Sequence, residues 1–295
     1  MIVVRYERED MIPGQRCANT VRNLQALGAN PSPVTLLGND AAGGGIRDFL
    51  AATAIDTRGV ILHDAFATVT KTRIMAGDQN RTKQQVIRID REPHARIPAD
   101  AESALLEQFE LVDREVEAWV VSDYNYFVVT DAIIERLRAI AKRKPVVVDS
   151  RHRLLQFKGV SLVTPNEEEA CEAVQCEPGG DEVMRAVGEQ LLELLGGTTV
   201  LITRGNQGMA LFERDRCVDI PIVGGEQVVD VTGCGDTVTA TAGLALVAGA
   251  QLREAAELAN VAAGIVVMKL GAATCSCQEI VDRLPILQAR WRAEP

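Results

Sequence analysis

Short runs of aliphatic residues alternate with helical patterns along most of this 295-residue chain. The runs are predicted strands, at residues 32–38, 117–122, 144–150, 159–164 and 198–203. Several are continuously apolar, which is typical of parallel strands that are buried on both faces of a sheet. Between them lie segments such as 130–143, in which Ile133, Ile134 and Leu137 recur at helical spacing. The alternation predicts an α/β fold with a mostly parallel sheet between two helical layers.

Two stretches interrupt this alternation. Residues 66–77 and 81–92 are consecutive β-like runs, and residues 1–9 form another. They predict a small accessory sheet, a lid over the site, built from about residues 1–12 and 66–92. No repeat, low-complexity tract or linker divides the chain, so residues 1–295 are predicted to form a single domain.

Charge and composition exclude several classes of protein. The formal net charge of −10 disfavours a protein that binds nucleic acid or anionic lipid, because such binding needs a surplus of Lys and Arg. No apolar run is long enough to span a membrane, and the charged N-terminus does not read as a signal peptide, which predicts a cytoplasmic protein. The seven cysteines are scattered, so we expect reduced thiols rather than a zinc site.

Polar residues and a glycine turn follow the predicted strands. Ligands of open parallel sheets bind at the carboxyl ends of the strands. The residues at these ends are Asp123, Asp149, Asn166, Thr203 and the turn at Gly233. Helix capping or turn chemistry explains each one taken singly. Five at one edge of a sheet favour a functional site.

The stretch 228–249 places a glycine turn at the start of a long apolar helix that is predicted to end near Gly249. The backbone N–H groups of Gly233, Cys234 and Gly235 would lie at the helix N-terminus, where the helix dipole favours an anion such as phosphate. Asp236, in the first turn, could take the proton of a hydroxyl that attacks a phosphoryl group there. The alternative is a tight turn followed by an acidic first helical turn.

"DVTGCGD" (230–236) resembles the Asp-Thr-x-Gly-x-Gly-Asp signature of ribokinase-like (PfkB-type) carbohydrate kinases, with Val231 in place of the threonine. Other stretches resemble that family's motifs in the same order. The resemblance implies a three-layer α/β/α ribokinase-like fold with a small β-sheet lid. It implies further that Asp236 is the catalytic base and that Gly233, Cys234 and Gly235 form the anion hole for the transferring phosphoryl group.

The nucleotide motifs of the family also have counterparts. "TPNEEEA" resembles its Asn-x-x-Glu motif, which implies that Asn166 and Glu169 organise Mg²⁺, through water, beside the phosphates of ATP. "TRGNQGM" resembles the strand and turn that touch the nucleotide, and "ANVAAGIVVMKLGAAT" resembles the helix beside the adenine. The nucleotide contacts implied in these two stretches are Thr203, Gly205, Gly208, Asn260 and Gly264.

Within the family, "TKTRIMAG", "KQQVIRIDRE" and "VVSDY" most resemble the heptose 7-phosphate kinases. Their acceptor is a sugar phosphate, so the resemblance implies cationic contacts, with Asn19 and Asp123 beside the sugar. The cations in the resembling segments are Lys71, Arg73, Lys83, Arg88, Arg151 and Arg153. A solvated basic surface explains any one of them about equally well. Lid strands of this family often pair between subunits, which implies a homodimer.

The chain departs from the family pattern on the acceptor side. The first strand of the family, with its sugar-binding Asp, has no counterpart, and "PGQRCAN" (13–19) stands where a Gly-Gly hinge precedes Asn19. Tyr126 and Phe127 replace the Lys-Gly of the heptose kinases. Two hypotheses therefore stay open: an active sugar or sugar-phosphate kinase, or a catalytically weak relative that binds a nucleotide or sugar phosphate in a regulatory or structural role. A misplaced gene start is a third explanation of the missing strand.

Overall fold

The computed structural model describes residues 17–76, 84–93, 95–223 and 228–285. The helices within these ranges are α1 (Cys17–Ala26), α2 (Ala41–Ala52), α3 (Ala99–Asp113), α4 (Asp131–Ile140), α5 (Glu167–Val174), α6 (Asp181–Leu194), α7 (Cys234–Val247), α8 (Leu252–Val266) and α9 (Cys277–Val281). The strands are β1 (Thr35–Gly38), β2 (Val60–His63), β3 (Thr70–Ala76), β4 (Gln84–Arg91), β5 (Trp119–Asp123), β6 (Val146–Ser150), β7 (Leu162–Val163), β8 (Thr199–Thr203), β9 (Met209–Glu213) and β10 (Arg216–Ile220).

A six-stranded sheet in the order β10-β9-β8-β7-β6-β5 forms the centre of the fold. Strands β5 to β8 are parallel, with Val120 opposite Val147 and Val147 opposite Leu162. The β9–β10 hairpin continues the sheet in antiparallel pairing. The four parallel strands match four of the predicted runs, so the prediction of a mostly parallel sheet is confirmed.

Helices cover both faces of this sheet, because its strands are apolar on both sides. Val147, Leu162 and Leu201 face a layer formed by α7 and α8, and all three are fully buried. The opposite faces, at residues such as Val148 and Val200, pack into a larger cluster with α3, α4, α5 and α6. The three-layer α/β/α prediction is therefore confirmed.

Helix α7 is buried on nearly every side, which explains its uniformly apolar and small-residue sequence. It packs against α8, α1, β5 and β6. It ends at Val247, two residues before the Gly249 that was predicted as its end. No helix in the described ranges, α7 included, has the length and apolar character needed to cross a membrane.

Two smaller sheets lie apart from the central one. Strands β1 and β2 form a parallel pair, with Thr35 opposite Val60, and both contact α3. Within the described ranges, no ladder joins β1 to β5, the edge strand of the central sheet. Strands β3 and β4 form an antiparallel hairpin. This hairpin corresponds to the predicted lid segment 66–92, whereas residues 1–12, the hinge residues 13–16 and Lys83 lie outside the described residues.

The two faces of the β3–β4 hairpin differ in chemistry. Ile74 lies opposite Ile87, and Ile89 is on the same face two residues further along β4. These three side chains are 37%, 51% and 54% exposed. The other face carries Arg73 directly opposite Arg88, followed by the pair Lys71 and Asp90. The hairpin therefore has one apolar face and one charged face.

Candidate active site

One large cavity, of about 2780 Å³, includes the carboxyl ends of the parallel strands, and its lining extends along the whole of β5 and onto both faces of the β3–β4 hairpin. The five positions predicted from the strand ends all line it: Asp123, Asp149, Asn166, Thr203 and Gly233. Asp236 lines it as well. The carboxyl ends of β5, β6 and β8 and the start of α7 thus meet at a single site.

Asp236 lies in the first turn of α7 and is 4% exposed. Its two carboxylate oxygens accept hydrogen bonds from the first turns of α1. The Asn19 side-chain amide donates to Oδ2 over 3.3 Å, and the Thr20 hydroxyl donates to Oδ1 over 3.2 Å. Because the carboxylate lies in the first turn of α7, the dipole of that helix favours its negative charge. The site thus presents an oriented carboxylate that can accept a proton.

The turn before Asp236 depends on Gly233, which has φ +79°. A Cβ on Gly233 would lie 3.1 Å from the Asn19 amide nitrogen, so both the backbone conformation and the close approach call for glycine. Gly235 has more room, since its Cβ would meet only the Asp149 carboxylate, at 4.0 Å. The N–H of Gly235 has no acceptor within the described residues, whereas that of Cys234 is donated to the Val231 carbonyl.

The Cys234 thiol adjoins the carboxylate without sharing its chemistry. Burial, together with the charge of Asp236, raises the pKa of Cys234 to about 11. The thiol therefore stays protonated at neutral pH and is a poor nucleophile. Asp236 remains the group in this turn that is suited to proton transfer.

Asn166 and Glu169 begin α5 at the cavity edge. The Asn166 side chain accepts from the Glu169 N–H over 2.9 Å, and the Glu169 carboxylate accepts from the Asn166 N–H over 3.0 Å. This reciprocal capping box fixes the start of the helix. Asn166 also forms a parallel bridge with Thr203, whose N–H is donated to the Pro165 carbonyl. The two predicted nucleotide motifs are therefore joined through backbone contacts.

The turn after Thr203 contains two glycines with positive φ. Gly205 has φ +54° and open space around it. Gly208 has φ +87°, and a Cβ there would lie 2.1 Å from the Ile220 carbonyl oxygen. Gly208 therefore permits the close approach of the turn to the end of β10.

The Arg204 side chain links this turn to the N-termini of α5 and α6. Its side chain is buried, with Nε 2.9 Å from Glu167 at the start of α5 and Nη2 2.8 Å from Asp181 at the start of α6. It also contacts Gln207 within the turn. The Arg204 N–H closes the turn by donating to the Gly208 carbonyl over 2.8 Å.

Asn260 and Gly264, the predicted adenine-side contacts, are both buried in α8. The Asn260 amide donates to the Pro221 carbonyl over 2.8 Å. Neither residue belongs to the described cavity lining, so their contact with a nucleotide stays a prediction.

The donors at the nucleotide edge of the cavity are oxygens, since Asn166, Glu169 and Asp149 line it. No three His, Cys, Asp or Glu side chains converge into a closed metal site among the described residues. An open edge with oxygen donors fits Mg²⁺, which keeps several waters and is usually bound by one or two carboxylates and substrate phosphates.

Asp123, predicted to contact the acceptor, is 2% exposed and already hydrogen-bonded. Arg153 donates to both of its carboxylate oxygens, over 2.8 and 3.1 Å, and the Ser150 hydroxyl donates over 2.8 Å. Arg153 also donates to the Val129 carbonyl. This network ties the ends of β5 and β6 to the loop after β5.

The predicted cations divide into two groups. Lys71 is paired with Asp90 at 3.1 Å and with Glu92 at 3.2 Å, and Arg88 is hydrogen-bonded to Asp90 over 3.0 Å. Arg73 and Arg151 have exposed side chains and line the cavity. The structure thus brings these four cations to one cavity, and acidic side chains partly neutralise two of them.

Sequence reasoning missed three features of the site: Thr20, Arg204, and the acidic partners Asp90 and Glu92 of the lid cations. Tyr126 donates its hydroxyl to Glu92 over 2.7 Å, so the residue that departs from the family pattern connects the lid to the loop after β5. A polar pair at the start of α1 was the available signal for Thr20. The roles of Arg204, Asp90 and Glu92 become visible only once the fold brings their partners close.

Solved structures of known proteins share this fold. Phosphofructokinase-2 from Escherichia coli superposes with a TM-score of 0.72 at 19% identity, covering 92% of this chain and 86% of that chain. Arabidopsis thaliana ribokinase, complexed with ribose and ATP, gives 0.70 at 21% identity, covering 90% and 86%. At such identities these likenesses show the ribokinase-like fold alone.

Curated relatives are closer in sequence. The bifunctional protein HldE of Geobacter sulfurreducens is 36% identical over 286 residues, which are 96% of this chain and 57% of the relative. HldE of Caulobacter vibrioides is 37% identical over 283 residues, 94% of this chain and 56% of the relative. The chain therefore spans little more than half the length of these relatives. The pfkB family carbohydrate kinase profile matches residues 10–279, and on these grounds the chain belongs to the pfkB family of carbohydrate kinases.

Proposed function

We propose that this protein transfers the γ-phosphoryl group of MgATP to a hydroxyl of a sugar phosphate, with Asp236 as the general base. The observation that carries the proposal is the buried Asp236 carboxylate, held by Asn19 and Thr20 beside the Gly233–Gly235 turn. A carboxylate positioned next to a helix N-terminus pairs a proton acceptor with an anion site, which are the two parts that phosphoryl transfer to a hydroxyl requires.

In this mechanism the acceptor oxygen attacks the γ-phosphorus as its proton passes to Asp236, and ADP leaves with the electrons of the broken P–O bond. The Gly235 N–H and the dipole of α7 would stabilise charge on the transferring group. Asn166 and Glu169 would hold Mg²⁺ through its waters, and the bound metal would neutralise phosphate charge. The turn between Thr203 and Gly208 would position the nucleotide, with Asn260 and Gly264 on its adenine side.

The charged face of the β3–β4 hairpin favours a phosphorylated acceptor. Arg73 and Arg88 are directly opposite each other on this face. Both guanidinium groups could donate charge-assisted hydrogen bonds to one phosphate dianion. Arg151 adds a cation from the other side of the cavity. Heptose 7-phosphate, the acceptor of the kinases that these segments resemble, is the first candidate.

The chain is proposed to act as a single kinase domain with the β3–β4 hairpin as its lid. The apolar face of the hairpin, formed by Ile74, Ile87 and Ile89, is exposed and would be covered by a second copy in a homodimer. The protein would act in the cytoplasm, where ATP is available. Sedimentation analysis of the protein and of Ile87→Lys tests the dimer, since a lysine at this position would dissociate it.

The decisive experiment is a phosphoryl-transfer screen with MgATP against sugars and sugar phosphates, followed by Asp236→Asn with the best acceptor. Removal of a general base lowers kcat by about 10²- to 10⁴-fold, and binding of MgATP should remain. Asp131→Asn is the matched control, because Asp131 is a first-turn acid on α4, outside the cavity lining. Unchanged turnover of Asp236→Asn would show that Asp236 only stabilises the start of α7. Nucleotide binding without turnover by the unmodified protein would favour the binding-module alternative.

A further inference from the structure

Thr20 is a buried hydroxyl that donates to the proposed base. It is 4% exposed, and its Oγ1 lies 3.2 Å from Oδ1 of Asp236, 216 residues further along the chain. We propose that Thr20 is a positioning residue, which keeps the Asp236 carboxylate ionised and aimed at the acceptor hydroxyl. This inference rests on the proposed role of Asp236.

Two donors from one helix turn fix the orientation of the carboxylate. Asn19 donates to Oδ2 and Thr20 to Oδ1, so each oxygen has its own anchor. The last torsion of an aspartate is otherwise broad, and its plane can turn easily. Because threonine is β-branched, its χ1 is restricted in a helix, which limits the hydroxyl to two main directions. Without Thr20, Oδ1 of the carboxylate would lose this anchor.

The same bond affects protonation. A hydroxyl that donates to a carboxylate stabilises the ionised form, and burial opposes ionisation. The elements packed against α7 carry other charged groups: Arg22 on α1, Asp123 on β5, Asp149 on β6 and Glu257 on α8. Asp123 and Glu257 are paired with Arg153 and Arg253, and Asp149 lines the cavity. Uncharged donors such as Thr20 therefore help to keep the base ionised.

The test compares Thr20→Val, which keeps the shape and removes the hydroxyl, with Thr20→Ser, which keeps the hydroxyl. Loss of a hydrogen bond to a charged group corresponds to about a 10- to 100-fold effect, so kcat of Thr20→Val should fall within that range. The KM for MgATP should stay unchanged, and the acid limb of the kcat profile should move to higher pH. Thr20→Ser should keep both kcat and the acid limb close to those of the unmodified protein.

Thr198→Val is the matched control for the loss of a buried threonine hydroxyl. Thr198 is also 4% exposed, and its hydroxyl bonds only to backbone groups, the Leu195 carbonyl and the Gly159 N–H. Its variant should lower the melting temperature about as much as Thr20→Val, with kcat retained. Should Thr20→Val fail to fold, Thr20→Ala makes the same comparison with Thr20→Ser.

Each remaining outcome decides the matter. Equal loss of kcat in Thr20→Val and Thr20→Ser would overturn the inference, because the hydroxyl would then be irrelevant. A higher acceptor KM with unchanged kcat and acid limb would overturn it as well, since Thr20 would then bind substrate. Full activity of Thr20→Val beside an inactive Asp236→Asn would overturn the role of Thr20 alone. Full activity of Asp236→Asn would instead overturn the proposed function.

Discussion

The two sides of the cavity are held together by different kinds of contact. On the nucleotide side, residues 159–285, the motif residues are fixed by backbone features: the capping box at Asn166, its bridge to Thr203, and the turn at Gly208. On the acceptor side, residues 17–153, side-chain pairs dominate, such as Lys71 with Asp90 and Glu92. Backbone-fixed positions admit few residues, whereas side-chain pairs can be exchanged with little effect on the fold. The departures from the family pattern at Tyr126 and Phe127 lie on the proposed acceptor side.

The largest effect is expected from Gly208→Ala. A Cβ there would combine positive φ with a 2.1 Å contact to the Ile220 carbonyl, so strain and overpacking together should lower the free energy of unfolding by about 2–6 kcal/mol. Gly205→Ala has only the φ penalty and should cost about 1–2 kcal/mol. Denaturant unfolding of both variants measures the difference. Equal losses would show that the close approach at Gly208 does not hold the turn.

A smaller effect is expected from Arg204→Met. The variant loses the hydrogen bonds of the buried Arg204 side chain to Glu167 and Asp181, so the free energy of unfolding should fall by about 1.5 kcal/mol. This value is at the low end of the range for hydrogen bonds to charged groups, because Asp181 is exposed. Because the turn after Thr203 loosens, the Kd for MgATP should rise about tenfold. Calorimetry measures this Kd. Arg185→Met is the control, because the Arg185 side chain makes a surface ion pair with Asp219 at 3.7 Å. A raised acceptor KM with normal ATP binding would contradict the division between the two sides.

Acid should weaken the acceptor side first. Among the described residues, the carboxyl groups whose pKa lies below the ordinary value include seven in residues 17–153 and two in residues 159–285: Asp40, Asp56, Asp90, Glu92, Asp100, Asp113 and Glu115, then Asp230 and Glu279. A lowered folded-state pKa stabilises the fold above the unfolded value near 3.8, and that contribution is lost as the pH falls through the folded value.

Hydrogen exchange at pH 7 and at about pH 3, below the unfolded value, measures this difference, and residues 17–153 should lose protection first. Asp113 is the most informative single residue. Burial opposes its ionisation, but Trp119, Arg143 and Lys144 still hold the pKa of Asp113 below its ordinary value. Asp113→Asn should therefore lower stability at neutral pH and reduce the acid sensitivity. Uniform loss of protection across both sides would contradict the comparison.

The smallest effect is expected from Tyr126→Phe. The hydroxyl donates to Glu92, and this bond is the first cause of the lowered pKa of Glu92. Its loss should cost about 0.5–1.5 kcal/mol. The acceptor KM should change and the KM for MgATP should not, because the bond ties the lid to the loop after β5. Steady-state kinetics with each substrate varied separately provides the measurement.

The sequence predicts the fold well where one pattern determines the structure. Continuous apolar runs predict β5, β6, β7 and β8, since only a strand covered on both faces suits them. The β9–β10 hairpin was missed, because its apolar run "MALFE" is not distinctive and β10 contains charged residues. Strand β2 was missed, although β1, which has the same length of four residues, was predicted. Such elements are stabilised by tertiary pairing, which a local pattern does not contain.

The site shows the same limit. The motif residues at strand ends, Asn166, Thr203 and Gly233, line one cavity as their positions predict, whereas Gly205, Gly208, Asn260 and Gly264 lie outside its lining. Pairings across long distances are different: nothing near Asp236 in the sequence points to Thr20, and nothing near Lys71 reveals that Asp90 and Glu92 would neutralise it. These contacts arise from the packing of α1 on α7 and from the hairpin register.

The order of strands in the central sheet has a consequence for how the chain folds. From β5 to β10 every strand is hydrogen-bonded to the next one along the chain, so the sheet forms by closing short loops, at low entropic cost. The contact between Thr20 and Asp236 closes a loop of more than two hundred residues. During refolding from denaturant, the circular dichroism signal of the secondary structure should therefore recover before catalytic activity, because Asp236, the proposed general base, acquires its partners last.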